Sequence, residues 1–121
     1  MNKYANTDKD IHARIYRLVV NCFSDVVKKI PKTTENLPII SQLSSSLTSI
    51  GANDHEADAA NSKKDFIAKY AIVKKETKET KYWLSLVKDT NMVSAVVVEP
   101  YIRESQEILL IVSTIIKNAS I

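Results

Sequence analysis

One glycine and three prolines in 121 residues leave almost nothing from which to build hairpin turns. Long intervals are instead filled by Ala, Leu, Lys, Glu and Ile, which favour helix, so the chain reads as all-helical. A single cysteine, Cys22, excludes an internal disulfide and a multi-cysteine zinc site. It falls among Leu18, Val19 and Val26 on an apolar helix face, the setting of a core thiol rather than a reactive one. Neither sign of charge dominates: 17 Lys and Arg against 14 Asp and Glu give +3, too little by itself to imply nucleic acid. The apolar runs, such as Ile108 to Val112, fall far short of the roughly 18 to 20 residues that span a bilayer. The acid-bearing start MNKYANTDKDIHARIY lacks the apolar segment of a secretory signal, so a cytoplasmic protein with no membrane partner is expected.

Catalytic patterns are missing too. No Glu-x-x-His pair occurs, as a di-metal carboxylate bundle requires, and no Gly-x-Ser-x-Gly elbow is present. With Gly51 alone no phosphate-cradling loop can form. His12 lies about three helical turns from Cys22, too far to activate it. Asp8 with His12, and His55 beside Glu56, are weak metal candidates. The expectation is therefore no enzyme, no catalytic residue, no metal, no cofactor and no small-molecule substrate.

What the chain does have is helical periodicity. Ile11, Ile15, Leu18, Cys22, Val26 and Ile30 recur at three and four, and Pro31 ends that run. Ile40, Leu43, Leu47 and Ile50 make a second stripe after Pro38, with the polar Asp54, Glu56 and Asp58 closing it and Ser44 to Ser46 as a small-residue packing face. Ser62, three residues before Asp65, marks the start of a third helix with Phe66, Tyr70, Val73, Thr77 and Leu84 inward. Val96 to Val98 favour strand locally, but no partner strand exists, and Met92 to Val98 reads as a loop entering a fourth helix that turns Tyr101, Ile108, Val112 and Ile115 inward. The expected fold is one all-α domain over 1–121, an up-down-up-down antiparallel four-helix bundle with helices near 8–30, 37–60, 62–88 and 98–118.

The third helix carries more than a core stripe. Ala68, Ile72, Trp83 and Leu86 form a second apolar face, with Glu79 beside it. In the first helix Val20, Phe23 and Val27 lie beside the main stripe, and Leu109 to Val112 cover most of the fourth. Surplus apolar faces point to a partner, most simply a second copy of the chain. The same helix holds eight lysines against three acids between Ser62 and Lys88. Lys74, Lys78 and Lys81 are spaced i, i+4 and i+7, with Lys63 and Lys88 projecting nearly alongside, a stripe able to track phosphates. The plainer alternative is a solvated face with Lys75 and Glu79 paired. No aromatic but Tyr70 interleaves the stripe, which leaves base stacking without support.

In order and spacing, Gln42, then Ser49 and Ile50, then Asn53 and Glu56, then Ser62 to Phe66, then Glu79, Tyr82, Trp83 and Leu84 form a recognisable pattern. It resembles the four helix bundle proteins related to those encoded in intervening sequences of bacterial 23S rRNA. The resemblance implies a homopentamer and an RNA-associated or structural role. Some members are accessory proteins of diversity-generating retroelements with a basic, nucleic-acid-binding surface. Two positions depart from the pattern: Ser44 and Ser45 stand where many relatives carry arginine, and Ala57 stands where many carry glycine. Asn53 and Glu56 are expected to tie the second helix to the third, and Phe66 to plug the core.

Two functions follow as expectations. The first is a homo-oligomeric scaffold that contacts structured RNA or DNA through Lys63, Lys74, Lys78, Lys81 and Lys88 and assembles through Ile72, Glu79, Trp83 and Leu86. The second is a protein-interaction module that uses that apolar face without binding nucleic acid.

Overall fold

The computed structural model describes residues 11–121. Four helices account for most of them: α1 (Ile11–Asp25), α2 (Leu37–Asp58), α3 (Lys63–Asp89) and α4 (Ala95–Ala119). One 3-10 turn, Val27–Lys29, follows α1, and there is no strand among the described residues. Each helix packs on two others, α1 on α2 and α4, α3 on α2 and α4, so the four close around one core.

The periodic positions are the buried ones, apart from Tyr101 and from Ile40, which is half-buried against the edge of the core at the start of α2. Ile11, Ile15, Leu18, Cys22, Val26 and Ile30 are all in the core, as are Leu43, Leu47 and Ile50, and Phe66, Tyr70, Val73 and Leu84. Phe66 and Tyr70 lie fully buried with ring centroids 4.6 Å apart. Burial pushes the Cys22 thiol up to about 12, which keeps it protonated and inert.

Several boundaries move. The first helix stops at Asp25 instead of reaching 30, because Ile30 must be extended (φ −67°, ψ 124°) ahead of Pro31; its proposed start at Asp8 lies outside the described residues. Val27 thereby turns into the core rather than joining an outer face. The second helix ends at Asp58, two residues early. The third starts at Lys63, where the Ser62 Oγ accepts the Asp65 amide at 3.0 Å.

The loop reading of Met92 to Val98 is overturned for its second half. Helix α4 begins at Ala95, and Val96 to Val98 are helical. Burial decides this against local strand preference, since Val98 is fully enclosed and the helix brings it there. Pro100, one turn in, is the residue that disguises the start, because a proline past the first turn normally argues against helix.

Side-chain pairs mark which parts of the helices meet. Thr80 Oγ1 donates to Ser46 Oγ at 2.7 Å, and Lys69 pairs with Glu56 at 3.0 Å. Lys88 reaches Glu99 at 3.2 Å, and the Lys63 ammonium reaches the Ile121 carbonyl at 2.9 Å. The Arg14 guanidinium takes Glu104 in a two-pronged grip (2.7 and 3.0 Å) and also touches Glu107 at 3.1 Å, joining α1 to α4. At the other end of α1 the Tyr101 hydroxyl donates to Asp25, and burial with that carboxylate raises the phenol to about 12. Tyr101 is accordingly half-buried at the edge of the core rather than inside it.

Candidate functional site

Helix α3 is long and packs on two neighbours, so its two sides have separate jobs. Inward, Phe66, Tyr70, Val73, Thr77, Thr80, Leu84 and Val87 are buried. Outward, Lys64, Ala68, Ala71, Lys75, Lys78 and Tyr82 are all exposed. These six recur at alternating intervals of four and three, which places them on one line along the helix. Lys74 is also exposed, beside that line.

The five lysines expected to form one stripe are thus divided. Lys74 and Lys78 make no hydrogen bond or ion pair with a described residue and line a shallow groove of about 370 Å³ with Ala71, Lys75 and Glu79. Lys81 donates to Gln106 at 2.6 Å, Lys88 pairs with Glu99, and Lys63 is held by Ile121. All three bend toward α4 because it packs on that flank of α3. Lys64 and Lys75, absent from the expected site, take their place on the open side. No ion pair joins Lys75 to Glu79.

An aromatic also borders the lysines, against expectation. Tyr82 is 60% exposed, one turn beyond Lys78, while Tyr70 is sealed in the core. The Tyr82 ring meets Trp83 nearly perpendicular, at 76° and 4.9 Å between centroids. Its signal in the sequence was the interval itself, Lys75, Lys78, Tyr82 at i, i+3 and i+7.

The expected oligomer face is mixed. Ile72 is 37% exposed, whereas Trp83 packs against the core and its indole N–H is buried without a hydrogen-bond partner among the described residues. Glu79 and Leu86 are half-buried. Glu76, one turn before Thr80 on the same helix, is raised from its ordinary value by burial and by nearby Glu79, against the pull of Lys75.

The acidic end of α2 holds the second notable constellation, one that the sequence did not reveal. Asp54 is buried and accepts a 2.6 Å hydrogen bond from the Tyr70 hydroxyl and another from His12 Nδ1 at 2.9 Å. Asp58 lies 3.6 Å from His12 Nε2. The Asp54 hydrogen bond raises the His12 pKa, burial opposes it, and the charges of Asp54 and Asp58 add to the rise. Burial and the same carboxylate push the Tyr70 phenol far up, so it stays a donor. Beside this cluster a cavity of about 160 Å³ is lined by His12, Ile15, Tyr16, Gly51, Asp54, His55 and Asp58. The trio joins α1, α2 and α3, and no group of three or more described His, Cys, Asp or Glu side chains is placed to hold a metal. Asp8, proposed as a partner of His12, lies outside the described residues.

Glu56 does tie α2 to α3, through Lys69, whose ammonium that hydrogen bond strengthens. Asn53 does not: its amide donates back to Ser49 within α2.

No curated protein matches the chain. The crystal structure of a protein of unknown function from the S23 ribosomal protein family of Bacteroides thetaiotaomicron VPI-5482 is similar over 88% of this chain and 98% of that one, at 33% identity and a TM-score of 0.80. Residues 7–114 match the profile described as 23S rRNA-intervening sequence protein, and the chain belongs to that family.

Proposed function

We propose that the chain is a non-enzymatic, cytoplasmic, homo-oligomeric scaffold that contacts RNA or DNA through the outer line of α3. The observation that carries this reading is the open lysine groove: Lys74, Lys75 and Lys78, with Lys64 further along, lie on one exposed side of α3 with no described carboxylate paired to any of them. Unpaired lysines on a rigid helix attract phosphates without first breaking an internal ion pair. Lys63 and Lys81, held by Ile121 and Gln106, add positive potential rather than direct contacts, while the charge of Lys88 is offset by Glu99. An up-down-up-down antiparallel bundle suits the pairs that join opposite helix ends, such as Lys63 with Ile121 and Lys88 with Glu99. Assembly into a ring, the pentamer that the family resemblance implies, would repeat the groove around an axis.

Among the described residues no helix is long and apolar enough to cross a membrane.

The test is fluorescence anisotropy with labelled hairpin RNA and duplex DNA at low and near-physiological salt. Saturable, salt-steep binding that weakens in a Lys74→Gln, Lys75→Gln, Lys78→Gln variant supports the reading. No binding at low salt would contradict it.

The rival reading is a protein-interaction module using the face around Ile72, favoured by that residue's exposure on the same side of α3 as the half-buried Trp83, about three turns on. Under it, Ile72→Glu abolishes a protein complex while nucleic-acid affinity is negligible.

A further inference from the structure

We infer that the α3 line recognises unpaired nucleotides, stacking a base on Tyr82 while Lys78 and Lys75 hold the adjoining phosphates. This deepens the nucleic-acid reading above and rests on it. Three observations support the choice of single-stranded over duplex substrate. First, Tyr82 continues the line Lys64, Ala68, Ala71, Lys75, Lys78, so the ring and the ammonium groups open to the same side. At the helical rise Lys78 precedes Tyr82 by about 6 Å and Lys75 by about 10 Å, a progression suited to successive nucleotides of an extended strand.

Second, the ring is positioned before any ligand arrives. Its 60% exposure leaves most of its surface to solvent, while the near-perpendicular contact with Trp83 restrains it. Trp83 is itself packed on the core, so the platform is attached to a rigid element. A base gains from stacking on such a ring whatever its identity, but only when it is free of its own duplex stack.

Third, the groove beside the ring mixes charge in a way a phosphate-only contact would not use. Lys74, Lys75 and Lys78 share it with Glu79, a carboxylate able to accept the amino hydrogens that an unpaired base exposes on its pairing edge. Ala71 adds no bulk, so the strand approaches the helix closely there. A duplex would meet the lysines but offer Tyr82 no base face.

The test compares a labelled single-stranded RNA of about 12 nucleotides with the same sequence in a duplex, by anisotropy across a salt series. The expected result is that Tyr82→Ala weakens single-strand binding by about 5- to 100-fold, with the salt slope and duplex binding unchanged. Tyr82→Phe should bind as the wild type does. Tyr82→Leu, which keeps apolar bulk without an aromatic face, should behave as Tyr82→Ala does, and the Phe and Leu pair decides the matter if the Ala variant folds or assembles abnormally. Emission from Trp83, the sole tryptophan, should change on adding single strand and not on adding duplex. Single strand bound equally by the wild type, Tyr82→Ala and Tyr82→Leu, still salt-steep, would overturn this inference and leave the lysine reading standing. Failure of both nucleic acids to bind at low salt would overturn both.

Discussion

The two sides of α3 are built from the same 27 residues and obey opposite rules. Inward, seven residues are buried, and even the polar ones are satisfied: Thr77 donates to the Val73 carbonyl at 2.6 Å and Thr80 to Ser46. Outward, Lys64, Ala68, Ala71, Lys75 and Lys78 lead to Tyr82 without a hydrogen bond or salt bridge from any of these lysines to a described residue. The inner side specifies the fold, since every group there has one place to go. The outer side specifies almost nothing about the fold, and that freedom is what makes it available to a ligand. A change inward should therefore cost stability with binding lost only through unfolding. Outward changes should do the reverse.

The largest expected effect comes from Phe66→Ala, which empties a fully enclosed site and should lower unfolding free energy by about 3 to 5 kcal/mol in a urea titration. A loss under 1 kcal/mol would break the comparison, because it would mean that the inner side relaxes easily. Next is Asp54→Ala, which strands the buried Tyr70 hydroxyl and removes the partner of His12. A destabilisation of about 3 kcal/mol is expected. Thr80→Val keeps the shape but deletes the bond to Ser46, and about 1 kcal/mol should be lost.

A smaller and pH-dependent effect belongs to His12. Its pKa is raised in the folded protein, so its contribution is fully present below about 6.5 and fades as pH rises through the higher folded value. The difference in urea midpoint between wild type and His12→Gln should shrink from about pH 5.5 to about pH 8.5. A difference that grows with pH would mean that Asp54 holds a neutral ring. Smallest of all on stability is the double change Lys75→Gln, Lys78→Gln, expected to leave the midpoint within about 0.5 kcal/mol.

The same contrast accounts for how much was legible beforehand. Core stripes announce themselves locally, and Ile15, Leu18, Leu47, Phe66 and Val112 are found where spacing puts them. The Asp54 cluster was not legible, because it joins residues 42 and 16 apart through the fold. One signal existed: Leu43, Leu47, Ile50, Asp54 and Ala57 continue a single inward line, which forces a carboxylate into the core and demands partners for it. The start of α4 was hidden by Val96 to Val98 and Pro100, whose local preferences yield to the burial of Val98. The lysine stripe was half legible. Periodicity places lysines on sides of a helix but does not say which side α4 will cover, so Lys63, Lys81 and Lys88 looked as free as Lys74 and Lys78. Tyr82 stands in the sequence only as part of the family pattern beside Trp83, and neighbours in a pattern are not neighbours on a helix, since the two point about 100° apart around α3.

The most direct test of the central claim is the salt dependence of RNA affinity in the wild type and in Lys75→Gln, Lys78→Gln. If the outer line of α3 is the phosphate contact, the plot of log affinity against log salt should flatten by about 2 in slope when both lysines are removed. An unchanged slope and affinity would contradict the account and move the contact elsewhere on the molecule.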